Sequence, residues 1–195
     1  MLFLLLGTAF GYREPVDYID ALVERKVRDI QIRAAKESLD VAVSEGRDFL
    51  QNVVEHPNLY YEIALLYNKE GELNQAIAYY SKALEIRPKL TAALYDRAEI
   101  YLVQGKYELA YNDLIQAKDV KHWVVHLRLA EVAAYRRDIV AMERSLLRSL
   151  ELGLDLRDLS SLGWKKWAKD SSLQPSLQRI ILLYGGQEIW NHLTR

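Results

Sequence analysis

Apolar side chains recur at helical spacing through the first quarter of the chain. From Pro15 to Ser44 they return every three or four residues, and proline is well suited to the first position of a helix. Gly46 interrupts this pattern, and residues 48–56 predict a short second helix that leads into Pro57. The pattern therefore predicts a long helix followed by a short one.

The last fifth of the chain has the same periodicity in shorter pieces. Residues 154–162 predict one or two helical turns, and Pro175 begins a helix that extends to Tyr184 and ends at Gly185-Gly186. The flanks are therefore helical at both ends of the chain.

Between these flanks the sequence repeats itself with a period of 34 residues. A shift by one period, starting from Pro57, superposes glycines, alanines and large apolar residues: Tyr67 on Tyr101, Gly71 on Gly105, Ala76 on Ala110, Ala83 on Ala117, Tyr60 on Leu94 and Ala64 on Ala98. Each unit is expected to be two helices joined by a tight turn. Glycine takes the left-handed conformation without a Cβ penalty where the first helix ends, and alanine is small where the two helices approach closely.

A third unit follows with a spacing two residues shorter, so that Ala98 corresponds to Ala130. In this unit Arg137 stands where the turn glycine is expected, and Asp138 is suited to cap the next helix, which Gly153 ends.

These units resemble the tetratricopeptide repeat. In the first unit the family's pattern of aromatic, small and proline positions is filled by Tyr60, Ile63, Ala64, Tyr67, Gly71, Ala76, Tyr80, Ala83 and Pro88. The second unit matches less well, because Arg97 and His122 stand where Leu and Pro are usual.

The resemblance implies an all-α fold, a right-handed superhelix of about three antiparallel helical hairpins with helical caps at both ends. The expected segments are 1–11, an apolar N-terminal stretch; 12–56, an N-terminal cap; 57–153, the array, with units 57–90, 91–122 and 123–153; and 154–195, a C-terminal cap. The cap is expected to cover the last hairpin with Trp164, Trp167, Ile180, Ile181 and Leu183.

The apolar run from Leu2 to Phe10 leaves two interpretations open. It is far shorter than the ~20 residues of a membrane-spanning helix, but it has the length of a signal-peptide core. No Lys or Arg precedes it, and the alternative is a segment that packs on the helices behind it. The run favours an exported, periplasmic or membrane-associated protein over a cytoplasmic one.

Composition and motifs speak against catalysis, cofactors and nucleic acid. The net charge is −1, the basic pairs are isolated, and cysteine is absent, which excludes disulfides and thiolate chemistry. No phosphate-binding or hydrolase motif occurs. His122 and His126 have the spacing of two metal ligands on one helix, but the nearest carboxylate after them, Glu131, lies five residues on. A helix-start histidine beside a packing histidine is the preferred interpretation, with no metal and no catalytic residue.

The resemblance also predicts where a partner binds, because the first helix of each unit lines the concave side in this family. The inward positions are Asn58, Tyr61, Glu62, Leu65 and Asn68 in the first unit, Ala92, Tyr95, Asp96, Glu99 and Leu102 in the second, and Val124, Leu127, Arg128 and Glu131 in the third. Chaperone-tail-binding relatives clamp a carboxylate with Lys, Arg and Asn here. In this chain Tyr61, Leu65, Asp96 and Val124 stand instead, and Arg128 alone fits that clamp.

The predicted function is therefore a scaffold or assembly factor that binds a peptide or helix with basic and apolar groups in a groove of tyrosines and acids. Three alternatives stay open. In the first, the protein's own N-terminal helix fills the groove. In the second, the chain is an exported or membrane-associated assembly factor whose apolar N-terminus docks on a partner. In the third, it is a small metal- or nucleotide-dependent enzyme.

Overall fold

The computed structural model describes residues 15–52, 55–118, 122–161 and 163–195, and these ranges contain helices and no strand. The apolar segment 1–11, with its signal-peptide prediction, lies outside them. The helices are α1 Pro15–Lys36, α2 Leu39–Asn52, α3 Pro57–Lys69, α4 Leu73–Ile86, α5 Thr91–Val103, α6 Tyr107–Ala117, α7 Trp123–Tyr135, α8 Ile139–Glu151, α9 Asp158–Ser161, α10 Lys165–Ala168, α11 Gln174–Leu183 and α12 Gln187–Thr194. None of the described helices has the length and apolar character to cross a membrane.

The chain divides into two compact units, one ending at Pro88 and the other extending from Lys89 to Arg195. In the first unit α1 packs on α2 and α3 on α4 as sequential pairs. In the second unit α5 packs on α6 and α7 on α8, and the short helices α9 to α12 follow. The predicted all-α fold of helical hairpins with helices on both flanks is confirmed.

The turn inside each repeat hairpin has the predicted left-handed residue. Gly71 and Gly105 have φ values of 80° and 70°, and Arg137 takes the equivalent position in the third hairpin with a φ of 60°. A left-handed non-glycine residue costs roughly 1–2 kcal/mol. The Arg137 guanidinium pairs with Asp170 and donates to Ser172 Oγ at 3.1 Å. We infer that these contacts offset the backbone cost and tie the third turn to the C-terminal segment.

The predicted small residues lie at the contacts between helices. The accessible fraction is zero for Ala76 and Ala83 in the first unit and for Ala98 and Ala110 in the second. A larger side chain at these positions would push the helices apart, because protein interiors are close-packed.

Gly46 does not end a helix, which corrects the prediction of one long helix to residue 44. The chain turns earlier, between α1 and α2, and Gly46 is a buried residue within α2. A Cβ at this position would lie 3.0 Å from Ile63 Cδ1 and 3.1 Å from Ile30 Cδ1. Glycine is required here because α2 approaches α1 and α3 so closely, although it lowers helix propensity.

A C-terminal cluster covers the last hairpin, largely as predicted. Trp164, Trp167, Ile180 and Ile181 are buried against α7 and α8 in one apolar cluster. Leu183 was wrongly included, since 74% of its surface is exposed near the end of α11. The sequence pattern missed α12, which contributes Trp190 and Leu193 to the cluster.

Candidate functional site

In the first unit the predicted partner-binding residues lie on α3, which His56 and Pro57 begin. The His56 Nδ1 accepts a hydrogen bond from the Asn58 backbone N–H at 3.2 Å, and its Nε2 lies 2.9 Å from Asp20 Oδ1 on α1. Because Nδ1 accepts, Nε2 carries the proton and donates to the carboxylate. His56 thus caps α3 and also joins it to α1.

The five predicted positions on α3 differ in how much of each side chain is accessible. Asn58, Tyr61, Leu65 and Asn68 are partly exposed, whereas Glu62 is buried, with 5% of its surface accessible. The Asn58 Oδ1 accepts a hydrogen bond from Arg87 Nη1 at 2.9 Å, and the Tyr61 and Tyr80 rings lie 5.8 Å apart.

Glu62 is in contact with the protein's own N-terminal helix. Its carboxylate is hydrogen-bonded to the Gln31 side chain of α1, and burial raises the pKa of this carboxyl while Gln31 and Lys69 act to lower it. Glu62, which was predicted as a partner-binding residue, is therefore a contact between α3 and α1.

Replacing Glu62 by Gln should raise the free energy of unfolding at pH 7. Burial disfavours the charged carboxylate, and the amide keeps the shape without the charge. A raised pKa in the folded state means that the penalty is absent below the ordinary value near 4.5 and grows as pH rises through the folded-state pKa. The gain in the free energy of unfolding of the glutamine variant, measured by urea denaturation, should therefore vanish toward acid pH.

Glu70→Gln, at an exposed position after α3, is the matched control and should change the free energy of unfolding little at either pH. Equal effects of both substitutions would contradict the explanation.

In the second unit a cluster of charged side chains on α5 and α7 surrounds Arg128. Its Nε lies 2.7 Å from Glu99 Oε1, and its Nη1 donates to Glu131 Oε2 at 2.9 Å. The same guanidinium donates to the Tyr95 hydroxyl. Burial raises the pKa of the Glu99 carboxyl, and Arg128 opposes this effect, while nearby Asp96 adds to it. Arg128 thus joins three other predicted residues in one cluster.

A cleft of about 240 Å³ opens beside this cluster. Its walls are Glu99, Leu102, Val103, Arg128, Glu131 and Tyr135, of which Glu99, Leu102, Arg128 and Glu131 were predicted from the sequence. Leu127, which was also predicted, is only 2% exposed and belongs to the apolar core cluster. We refer to the six wall residues as the acidic cleft.

Sequence reasoning missed two wall residues, Val103 and Tyr135, and a cation next to them. Val103 is 80% exposed, the most exposed of the large apolar side chains in the described part of the chain. The Tyr135 ring is stacked on Tyr107 with centroids 4.1 Å apart, and Lys166 Nζ lies 4.5 Å from its centroid and 3.9 Å from Glu131 Oε1. Because Lys166 is far from Tyr135 in sequence and lies outside the repeats, the repeat spacing could not predict this contact.

The two histidines with metal-ligand spacing have separate structural settings. His122 caps α7, with its Nδ1 accepting from the Val124 backbone N–H at 3.3 Å. His126 donates to the Lys118 backbone carbonyl, and burial, followed by Arg148, lowers the pKa of its imidazole. No group of three or more His, Asp or Glu side chains converges as a metal site within the residues that the structure describes.

The hairpin geometry and the residues that produce it match a known family. Residues 57–90 match the tetratricopeptide repeat. The chain therefore contains a tetratricopeptide repeat.

Two relatives align with part of this chain. The photosystem I assembly protein Ycf3 of Cyanophora paradoxa is 33% identical over 76 residues, which are 36% of this chain and 44% of that protein. Tetratricopeptide repeat protein 36 of Caenorhabditis elegans is 39% identical over 71 residues, 33% of this chain and 38% of that protein. The chain thus spans less than half the length of each relative.

A solved structure is similar over most of the chain. MamA from Desulfovibrio magneticus superposes with a TM-score of 0.67 and 14% identity, covering 85% of this chain and 94% of that one. At this identity the likeness establishes the fold alone. The tetratricopeptide-repeat fold supports a role as a scaffold for protein–protein interaction.

A buried ion pair accounts for the departure from the repeat pattern at Arg97. The Arg97 Nε and Nη2 donate to the two carboxylate oxygens of Asp113 at 2.8 and 2.7 Å, and only 3% of Asp113 is accessible. This bidentate pair joins α5 to α6, where the family pattern would place an apolar contact.

Proposed function

We propose that this protein is a non-catalytic scaffold that binds a peptide or helix of a partner protein on the first helices of its repeats. In the second unit the partner contacts Tyr95, Asp96, Glu99, Leu102, Arg128 and Glu131. In the first unit it contacts the partly exposed residues of α3, Asn58, Tyr61, Leu65 and Asn68. Glu62 and Leu127 are buried and support these surfaces from within.

The observation that carries the proposal is the acidic cleft. It combines an open cavity, an ordered charge cluster and an apolar side chain, Val103, that is 80% exposed. Isolated exposed apolar residues are common, but one that adjoins a cleft of aromatic and charged residues is typical of a binding surface.

The charges of the cleft define the chemistry of the partner. The walls contain two acids, Glu99 and Glu131, and one base, Arg128, which leaves one net negative charge. The neighbouring Asp96 and Lys166 have opposite charges and do not change this balance. A basic side chain of the partner would pair with the acids, and an apolar one would cover Leu102 and Val103. A segment with both kinds of side chain is therefore the proposed ligand.

Site-specific photo-crosslinking in the native cell tests this proposal. A benzoylphenylalanine residue in place of Val103 should capture a discrete partner, because this position is open to solvent beside the cleft. The same probe in place of Val41, which is 43% exposed on α2, is the matched control and should not capture that partner. Asp96→Lys should abolish capture at Val103 while circular dichroism stays unchanged, since it removes an acid and adds a like charge for a basic ligand. Capture that is equal at both positions, or unaffected by Asp96→Lys, would rule out the cleft as the site.

Assembly of a larger complex is a second candidate function. The Cyanophora paradoxa relative is named an assembly protein and aligns over 76 residues. In this role the apolar residues 2–10 would also dock on the partner. A truncation of residues 1–11 that prevents capture at Val103 would favour this function, and unchanged capture would favour the scaffold that depends on the cleft alone.

A further inference from the structure

The second unit has another cavity, which shares α7 with the acidic cleft, has no wall residue in common with it, and carries the opposite charge. It has a volume of about 510 Å³ and lies among α6, α7 and α8. Apolar walls and cationic side chains meet in it: Ile115, Leu129 and Leu147 with Lys118, Arg144 and Arg148. A volume of this size lies within the range of ligand pockets, roughly 300–1,000 Å³, and exceeds that of one apolar side chain.

Two of the three cations of this cavity have no ionic partner among the residues that the structure describes. Lys118 and Arg144 are exposed, and neither takes part in an ion pair with any residue that the structure describes. Arg148 donates to Glu151 Oε2 at 2.9 Å, so the wall has one carboxylate for three cations. The cavity therefore carries an excess of two positive charges beside apolar surface.

The remaining titratable side chains of the cavity add no cation at neutral pH. Burial and the nearby Arg148 lower the pKa of the His126 imidazole. Tyr111 has no cationic form, and its ring centroid lies 4.4 Å from the guanidinium carbon of Arg136. The geometry thus combines a pocket for an apolar group with cations among its walls, and a ligand that satisfies both must be apolar and anionic.

We propose that this cavity binds an acidic peptide segment of a partner protein, with a Leu or Phe side chain in the cavity and flanking Glu or Asp residues paired with Lys118 and Arg144. This site goes beyond the proposed function, because its walls come mainly from the second helices of the repeats. One protein would then hold a basic segment at the acidic cleft and an acidic segment here.

A dye-labelled peptide, acetyl-Glu-Leu-Phe-Glu-Glu-Leu-amide, tests the proposal by fluorescence anisotropy with the full chain. It should bind, and the peptide with Lys in place of each Glu should not. Lys118→Glu together with Arg144→Glu should weaken binding by about tenfold or more. Lys89→Glu together with Lys165→Glu changes the net charge equally at exposed positions of the same unit outside the cavity, and should leave the affinity unchanged.

Three results of these binding measurements would overturn the proposal. Equal binding of the Lys peptide, or an affinity that the double charge reversal leaves intact, would overturn it. Octanoate, a carboxylate on an apolar chain, serves as a small-molecule arm; if it binds and the peptide does not, the site takes small anions and the peptide assignment is wrong. Should the charge reversal lower helicity, Lys118→Gln with Arg144→Gln gives the same test without added negative charge. Asp96→Lys should not alter peptide affinity, which separates this site from the acidic cleft.

Discussion

Replacing Arg97 by Leu should lower the free energy of unfolding by about 3–5 kcal/mol, even though leucine is the residue that the repeat pattern usually has there. The reason is Asp113, which is 3% exposed and has both carboxylate oxygens bonded to the Arg97 guanidinium. Leucine would leave that charge buried without its partner. Urea denaturation followed by circular dichroism measures the loss. At acid pH the deficit should shrink, because the stranded carboxylate can take up a proton.

Three variants distinguish the effect of an unpaired buried carboxylate at Asp113 from the effect of lost side-chain packing. Arg97→Leu combined with Asp113→Leu should recover most of the stability, since apolar residues often replace a buried ion pair without loss. Asp113→Ala alone should cost less than Arg97→Leu, because the long arginine side chain, which is 17% exposed, can reach solvent. If the free energy of unfolding of the single Arg97→Leu variant lay within about 0.5 kcal/mol of that of the natural chain, the ion pair would not contribute to stability.

Replacing Trp164 by Ala should destabilise the second unit by about 3–5 kcal/mol. Trp164 is 1% exposed and lies at the centre of the apolar cluster that covers the last hairpin, which includes Met142 and Leu146 of α8 and Ile180 of α11. Its removal leaves a cavity that neighbouring helices fill only in part. Thermal and urea denaturation should both report the loss, and amide hydrogen exchange should rise in α7 and α8.

Two matched substitutions define the origin of this effect. Trp164→Phe retains part of the buried ring volume and should cost less than Trp164→Ala. Leu183→Ala removes a large apolar side chain that is 74% exposed on α11, and should change stability by less than about 0.5 kcal/mol. If Leu183→Ala were as harmful as Trp164→Ala, the apolar cluster around Trp164 would not be the source of stability.

The repeat hairpins were predictable because they depend on contacts close in sequence. A glycine at a helix end, an alanine at a close approach and a proline at a boundary each act within one unit, so their spacing carries the information. The left-handed Gly71 and Gly105 and the buried Ala76 and Ala110 follow from that spacing. Arg137 belongs to the same pattern, since its position alone predicted a turn residue.

The candidate site was predictable only in outline. Helical spacing placed Glu99, Arg128 and Glu131 on the first helices of their units, and the structure joins them in one cluster. Spacing did not reveal that Glu62 is buried in contact with α1 or that Leu127 belongs to the core, because burial depends on which other helix packs against the residue.

The sequence by itself determined that the chain is helical, where the repeat turns fall and which family the chain resembles, since these follow from local conformational preference and periodic packing. The tertiary structure alone decided that Gly46 is a close-packing residue, that Arg97 is paired with Asp113, that Leu183 is exposed and that Lys166 lies beside Tyr135. Each of these depends on contact between helices or segments whose mutual orientation no local preference specifies.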